Sequence, residues 1–383
     1  MSILILKNVE YVSKMPYNFV NDNYKKRFSY RKYGKRSEKE KERKGNSADM
    51  VTLKDIAEKA GVSSMTVSRV MNGKTGTVSQ QTSERIKKIA QEMGYVPNSS
   101  ARALASRSSR LIAALLQEYD EERNPLEDSY TSCFLGELAL QIKKEGYDLM
   151  LHYVKDYSEI TYSLKSWNVA GAVFIGMFDE SIRKLQEDNH IPLIFTDSYS
   201  SIRSITNVGI DDYRGGELAA EHFLKNGHRN VAFYGPEVLD NGVVMHRLRG
   251  FVSVLREAGI SLPQENFINL GVKDLGEVLA RLCSGKNPVT GIFTTADNCA
   301  YQIYSEAYRK GLRIPEDLSV IGFDDLSMSR LVTPPLTTVR QDIKKKALVT
   351  CDLLMKNINA ADSPSENIVL NVELSERKSV RRL

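Results

Sequence analysis

Cysteine is scarce in this 383-residue chain: Cys133, Cys283, Cys299 and Cys351 are the only four, widely scattered and without a CxxC pair. That pattern argues against a zinc site and a disulfide framework, and it fits a reducing compartment. No stretch approaches the roughly 18 uninterrupted apolar residues of a membrane span. The opening MSILILKNV has an apolar run too short for a signal peptide, and no lysine precedes it. A cytoplasmic protein with no membrane partner is expected. The five histidines (His152, His190, His222, His228, His246) show neither HExxH nor triad spacing. There is no GxSxG elbow and no GxxxxGK[ST] phosphate loop, so no enzyme activity, cofactor or metal is expected.

What is present is unevenly placed. Residues 1–49 hold 13 Lys and Arg against 6 Asp and Glu, residues 50–110 hold 10 against 4, and the remainder is acidic, 30 against 38. A basic front joined to an acidic body suggests nucleic acid at the front and a different partner behind. Length and a hydrophobic content of 42% allow roughly two or three folding units. The first segment, 1–49, is rich in Tyr, Lys, Arg and Asn, and KRSEKEKERKG carries no apolar stripe. It reads as a disordered basic extension, with an arm that adds phosphate contacts as the alternative.

Residues 52–73, TLKDIAEKAGVSSMTVSRVMNG, carry the strongest local signal. Leu53, Ile56, Ala57 and Ala60 recur at i, i+3, i+4 and i+7, one buried stripe of a helix. Gly61 stops that helix, and Ser63 or Ser64 caps the next. On the second helix Val67, Val70 and Met71 gather on one side and Ser64, Met65, Ser68, Arg69 and Asn72 on the other. A third helix repeats the stripe at Ile86, Ile89, Ala90 and Met93, and Gly94 closes it. Three short helices with an outward polar face on the second predict a helix-turn-helix unit over 50–95, with an ordinary three-helix scaffold as the alternative.

VTLKDIAEKAGVSSMTVSRVMNG, VSQQTSERIKKIAQEMGYVPN and SSARALASRSS, taken in order, resemble the DNA-binding headpiece and hinge of the lactose-repressor (LacI/GalR) family of bacterial transcription regulators. The resemblance places the usual start near Met50, so start-codon choice would account for 1–49. It implies base-reading positions at Ser64, Met65 and Arg69, with Thr77 in the following loop. Arg69 is the residue best suited to a bidentate contact with guanine. Thr52, Ser63, Ser68, Asn72, Ser79 and Asn98 are implied phosphate or hinge contacts, although helix capping explains the serines equally well. Residues 96–110 are expected to form a hinge helix in which Leu104 wedges into the minor groove; a flexible linker is the alternative.

From Leu111 onward, apolar runs such as IAALL, AGAVFIG, PLIFTD, NVAFYG, GIFTT and LSVIGF alternate with amphipathic stretches. That alternation predicts parallel sheets covered by helices. With the resemblance, it gives a two-lobed α/β periplasmic-binding-protein-like core, with lobes of about 111–210 plus 342–370 and about 211–341 plus 371–383. Ligands of such folds bind at the carboxyl ends of strands. Asp197, Arg247, Asp297 and Asp324 are the candidate effector contacts, each with a capping or pairing role as the alternative. Ala296 stands where relatives commonly carry asparagine, and Lys273 or Val272 lies near where some place an aromatic platform. Tyr130, Phe134 and Phe178 offer stacking surfaces or core. The expected function is a homodimeric repressor on a pseudo-palindromic double-stranded DNA operator, controlled by a small molecule, with carbohydrate the leading class. A protein co-regulator in place of the small molecule, or a solute-binding protein, are the alternatives.

Overall fold

The structure, a computed structural model, describes residues 51–73, 76, 78–96, 109–117, 124–176, 181–199, 205–236, 242–360 and 364–383. The expected disorder of 1–49, most of the hinge segment with Asn98 and Leu104, the Thr77 contact and Phe178 lie outside these residues. The chain divides into two compact units, one ending at Ala105 and one beginning at Ser106.

In the first unit, helix α1 (Leu53–Ala60) starts at a capping box. Thr52 Oγ1 accepts from the Asp55 N–H, and Asp55 Oδ2 accepts from the Thr52 N–H at 2.7 Å. These two bonds satisfy amide donors that a helix start otherwise leaves open. Gly61, at φ 65°, ends the helix in the left-handed region that glycine adopts without steric cost. Ser63 then caps α2 (Ser64–Met71), and Ser79 caps α3 (Gln80–Glu92). The three stripes meet in a core of Ile56, Ala57, Ala60, Val67, Val70, Ile86 and Ala90.

The second unit begins with β1 (Leu111–Gln117), then α4 (Ser129–Lys144), β2 (Asp148–Val154), α5 (Tyr157–Ser166), β3 (Gly171–Ile175), α6 (Ser181–Asp188), β4 (Leu193–Thr196) and β5 (Thr206–Ile210). It continues through α7 (Asp212–Lys225), β6 (Val231–Gly235), α8 (Val243–Glu257), β7 (Phe267–Asn269), α9 (Leu275–Leu282), β8 (Gly291–Thr294) and α10 (Asp297–Lys310). The last elements are β9 (Ser319–Asp324), β10 (Thr337–Gln341), α11 (Ile343–Asn359), β11 (Asn367–Leu370) and β12 (Val372–Ser375). One six-stranded sheet has the order β11-β5-β4-β3-β1-β2 and the other β12-β10-β9-β8-β6-β7. Their central strands are buried apolar runs, as strands covered on both faces must be.

The chain passes between the sheets three times, after β5, after β10 and after β11. The expectation of parallel sheets needs one amendment, because β12 pairs antiparallel with β10. Only Asn371 separates β11 from β12, which leaves no length for the crossover that a parallel return demands. A strand that leaves the first sheet through its carboxyl end therefore enters the second running against its neighbours.

Helices α7 and α8 cross at two glycines. A Cβ on Gly216 would lie 1.9 Å from the Arg247 carbonyl oxygen, and one on Gly250 would lie 1.9 Å from that of Tyr213. Neither backbone can yield without separating the helices, and α8 is the element that carries Arg247. Gly250→Ala is therefore expected to destabilise the second unit by about 1–3 kcal/mol or more, read as a lowered Tm of its unfolding transition. An unchanged Tm would show that the crossing is looser than described.

Candidate functional site

Charged and polar side chains collect where the parallel strands end. Asp197 directly follows β4, Thr295 follows β8, Asp324 ends β9, and Asp212 opens α7 just beyond β5. Asp197, Asp324 and Asp325 hold φ values of 53°, 116° and 56°. Such backbone costs a non-glycine residue about 1–3 kcal/mol and persists only where the surroundings over-determine it.

Asp325 is held by Arg377 and Arg330, and Asp197 by the first of two buried ion pairs nearby. Lys346, fully buried on α11, donates from Nζ to both Asp197 oxygens at 2.5 Å and to the Tyr130 hydroxyl at 2.6 Å. Tyr130 in turn donates to Asp197 Oδ2 at 3.0 Å. The three ammonium hydrogens are thereby all used. In the second pair, Arg247 Nε donates to Asp212 Oδ1 at 2.7 Å, Nη1 donates to the Thr295 carbonyl, and the guanidinium lies 3.5 Å over the Phe323 ring. Tyr199 donates to the other Asp212 oxygen and stacks on His246 at 3.8 Å. Burial pushes the Asp212 carboxyl up, against the pull of the guanidinium.

Asp324 differs from both. Its carboxylate accepts from Gln341 Nε2 at 2.6 Å, and burial holds its carboxyl well above the usual range. Arg247 draws it down and Asp297 pushes it further up. The fields of Asp197 and Asp324 both reach Arg247, and those of Asp324 and Arg247 both reach Tyr130. Groups from the two sheets thus share one neighbourhood, bridged at its margin by Asn298 Nδ2 donating to Asp128 Oδ1 at 3.3 Å. Among the described residues no group of three or more His, Cys, Asp or Glu is placed to hold a metal ion. Burial pushes the Cys299 and Cys283 thiols up to about 11, away from nucleophilic reactivity.

On the first unit, α2 turns Ser64, Met65, Arg69 and Asn72 outward, with Ser68 half-buried. Met65 is 66% exposed, a large apolar side chain with no core to enter.

The sequence profile described as "Bacterial regulatory proteins, lacI family" matches residues 52–98, and that of a "Periplasmic binding protein-like domain" matches 220–380. The chain is 30% identical over 341 residues to the "Probable HTH-type transcriptional repressor ExuR" of Bacillus subtilis (strain 168), covering 87% of this chain and 99% of that one. The chain belongs to the lacI family. Membership makes it a DNA-binding transcription regulator with a helix-turn-helix headpiece, and not an enzyme. A crystal structure of the lac repressor dimer bound to operator and the anti-inducer ONPF matches with a TM-score of 0.74 at 25% identity, over 87% of this chain and 99% of that one. A lacI-family regulator from Enterococcus faecium with bound ribose matches with a TM-score of 0.60 at 26% identity, over 71% and 99%. No helix among the described residues is long and apolar enough to cross a membrane.

Within this family member, Asp197, Arg247 and Asp324 converge as described. Asp297 does not present a free carboxylate. Its oxygens accept from Thr338 Oγ1 at 2.6 Å and from the Leu326 N–H at 2.8 Å, which ties the start of α10 to β10 and to the turn after β9. Thr52, Ser63 and Ser79 act as helix caps. Phe134 is core, whereas Tyr130 belongs to the Lys346 cluster. Lys346, Asp212, Tyr199 and Gln341 are absent from the sequence-based candidates. For Lys346 a signal exists: it lies three residues after Ile343 and one before Ala347, on the buried stripe of α11.

Burial raises the Asp297 carboxyl to about 7 from 3.8, while the Thr338 hydroxyl and Leu326 N–H oppose the rise. A folded-state value above the unfolded one means that protons stabilise the fold between those limits, and that this stability is lost as pH rises through about 7. An amide at this position does not titrate and has no such dependence. The cost of Asp297→Asn, measured by denaturant unfolding from pH 4 to 8, is therefore expected to be largest at the acid end and to shrink toward neutrality. A cost that grows with pH would show that the two donors outweigh burial.

Proposed function

We propose that this regulator is a dimeric repressor that reads a pseudo-palindromic operator through α2 and is released or recruited by a small polar effector held among Asp324, Arg247 and their neighbours. The observation that carries the effector reading is Asp324: a carboxyl group 4% exposed, in strained backbone at a strand's carboxyl end, with an amide as its only side-chain hydrogen-bond partner among the described residues. Burying an ionisable group so poorly matched costs several kcal/mol, and function is the usual reason to retain one. Arg247 is already held in place by Asp212, so it meets a ligand without first losing rotamer freedom. The ribose bound by the Enterococcus faecium relative supports a polyhydroxy compound as the effector class.

At the DNA end, Arg69 on the exposed face is suited to bidentate hydrogen bonding to guanine, with Ser64 and Met65 against neighbouring bases and Thr77 contributing from the loop. Thr52, Ser63, Ser68, Asn72 and Ser79 set the register on phosphates, Asn98 contributes at the hinge, and Leu104 opens the central step from the minor groove. The effector acts by changing the relation of the two sheets about the three crossings after β5, β10 and β11. A coupling of about 1–3 kcal/mol, or roughly 5–150-fold in operator affinity, is the ordinary range.

Arg69→Ala is expected to relax base preference at one symmetric operator position by about 1–3 kcal/mol, read by binding to a library of single-substituted duplexes. Uniform weakening at every position would remove Arg69 from base reading. Arg247→Ala is expected to lower the stability of the second unit, because Asp212 loses its buried partner, and to abolish the response to effector in protein that still folds and binds operator. A full dose-response in that variant would place the effector elsewhere.

A further inference from the structure

The effector reading can be taken one step further, to the chemistry of the molecule, on the same site. Around Asp324 the hydrogen-bond donors are largely committed, although the guanidinium of Arg247 retains N–H groups beyond the two that are bonded. Lys346 gives its three hydrogens to Asp197 and Tyr130, and Arg247 gives Nε to Asp212 and Nη1 to the Thr295 carbonyl. Tyr130 and Tyr199 donate their hydroxyl protons to Asp197 and Asp212, so toward a ligand both oxygens act as acceptors. Gln341 is 4% exposed; its Nε2 is committed to Asp324 and its Oε1 is buried without a partner among the described residues. Charge points the same way. Three carboxylates, Asp197, Asp212 and Asp324, face two cations, and each cation is closely paired with one of the first two. No cation among the described residues comes within the 4.0 Å of an ion pair with Asp324. A buried amide oxygen with no partner among the described residues, beside a carboxyl that no cation pairs at close range, is complementary to a group with several N–H donors and a positive charge.

We propose that the effector carries a protonated primary amine, as in an amino sugar, whose ammonium is held by Asp324 and the Oε1 of Gln341 while Arg247 faces its oxygen atoms. The inference rests on the sensor reading of the preceding subsection and narrows it. An anionic effector is disfavoured by the same site, since it would lie against the Asp324 carboxyl and the Gln341 acceptor oxygen while each cation is already paired with an aspartate. A neutral polyol would satisfy hydrogen bonds at Asp324 but leave its carboxyl as high as burial holds it. Burial, which holds the Asp324 carboxyl well above its ordinary range, is the cost that a ligand cation offsets.

The test uses the full chain and matched pairs of ligands: glucosamine with glucose, galactosamine with galactose, and mannosamine with mannose, by calorimetry and thermal shift at neutral pH. At least one amine is expected to bind tenfold or more tightly than its neutral partner, and its N-acetyl derivative, which has lost the charge, is expected to bind no better than the neutral sugar. Asp324→Asn, checked for folding by its retained operator binding, is expected to bring amine and neutral partner to within about twofold. The N-acetyl comparison on the parent chain serves alone if that variant does not fold. Equal or weaker binding of all three amines, or an amine preference that survives Asp324→Asn, overturns the proposal. Operator affinity measured with each binding ligand separates the two levels. A neutral sugar that binds and shifts operator affinity sinks the amine and keeps the sensor, whereas an amine that binds without shifting it sinks the sensor alone.

Discussion

Burying charge at the ends of parallel strands is costly unless each charge finds a partner, and in a parallel sheet the partner must come from another element. Here Asp197 after β4 finds Lys346 on α11, and Asp212 at the head of α7 finds Arg247 on α8. Removing one member of such a pair leaves an uncompensated buried ion, which typically costs about 3–5 kcal/mol. The pairs are therefore less a source of net stability than a constraint on where four elements stand. They hold Asp197 in left-handed backbone, fix Arg247 over Phe323, and leave Asp324 without a close ion pair among the described residues.

The topology makes that constraint useful. Three passages of the chain between the sheets allow the two halves of the site to be shared by one fold while remaining on separate sheets. The Lys346 cluster belongs wholly to elements packed on the first sheet, and Asp324, Asp297 and Thr295 to the second. A molecule that bridges Asp324 and the neighbourhood of Tyr130 would bias how the two sheets stand to each other. That bias is the physical content of the proposed coupling to the headpiece.

Much of this is legible in the sequence, for identifiable reasons. The headpiece helices announce themselves because three short helices can make a core only with strict stripes, and Ile56, Val67 and Ile86 keep to them. Arg247 and Asp324 stand out because long cations and carboxylates next to apolar strands have few other uses. Lys346 is hidden in IKKKALV, where three consecutive lysines read as solvent-facing and only the register of the helix sets one of them inward. Asp212 is obscured by Asp211, its helix-capping neighbour, since adjacent identical residues give no indication of which is buried. Asp297 reads as a ligand contact because its position shows nothing of the Thr338 hydroxyl 41 residues on that occupies it. The antiparallel β12 depends on a one-residue connection whose meaning emerges only once β11 is known to lie in the other sheet.

The central claim is that one chain couples a polar cleft to sequence-specific DNA binding. It is tested most directly by recovering a preferred duplex from a random pool with the full chain, then titrating that duplex with and without whichever ligand stabilises the second unit. The account predicts a preferred, roughly palindromic duplex whose affinity changes at least about fivefold when the ligand saturates. Absence of any preferred duplex, or an affinity unmoved by a saturating ligand, would contradict it.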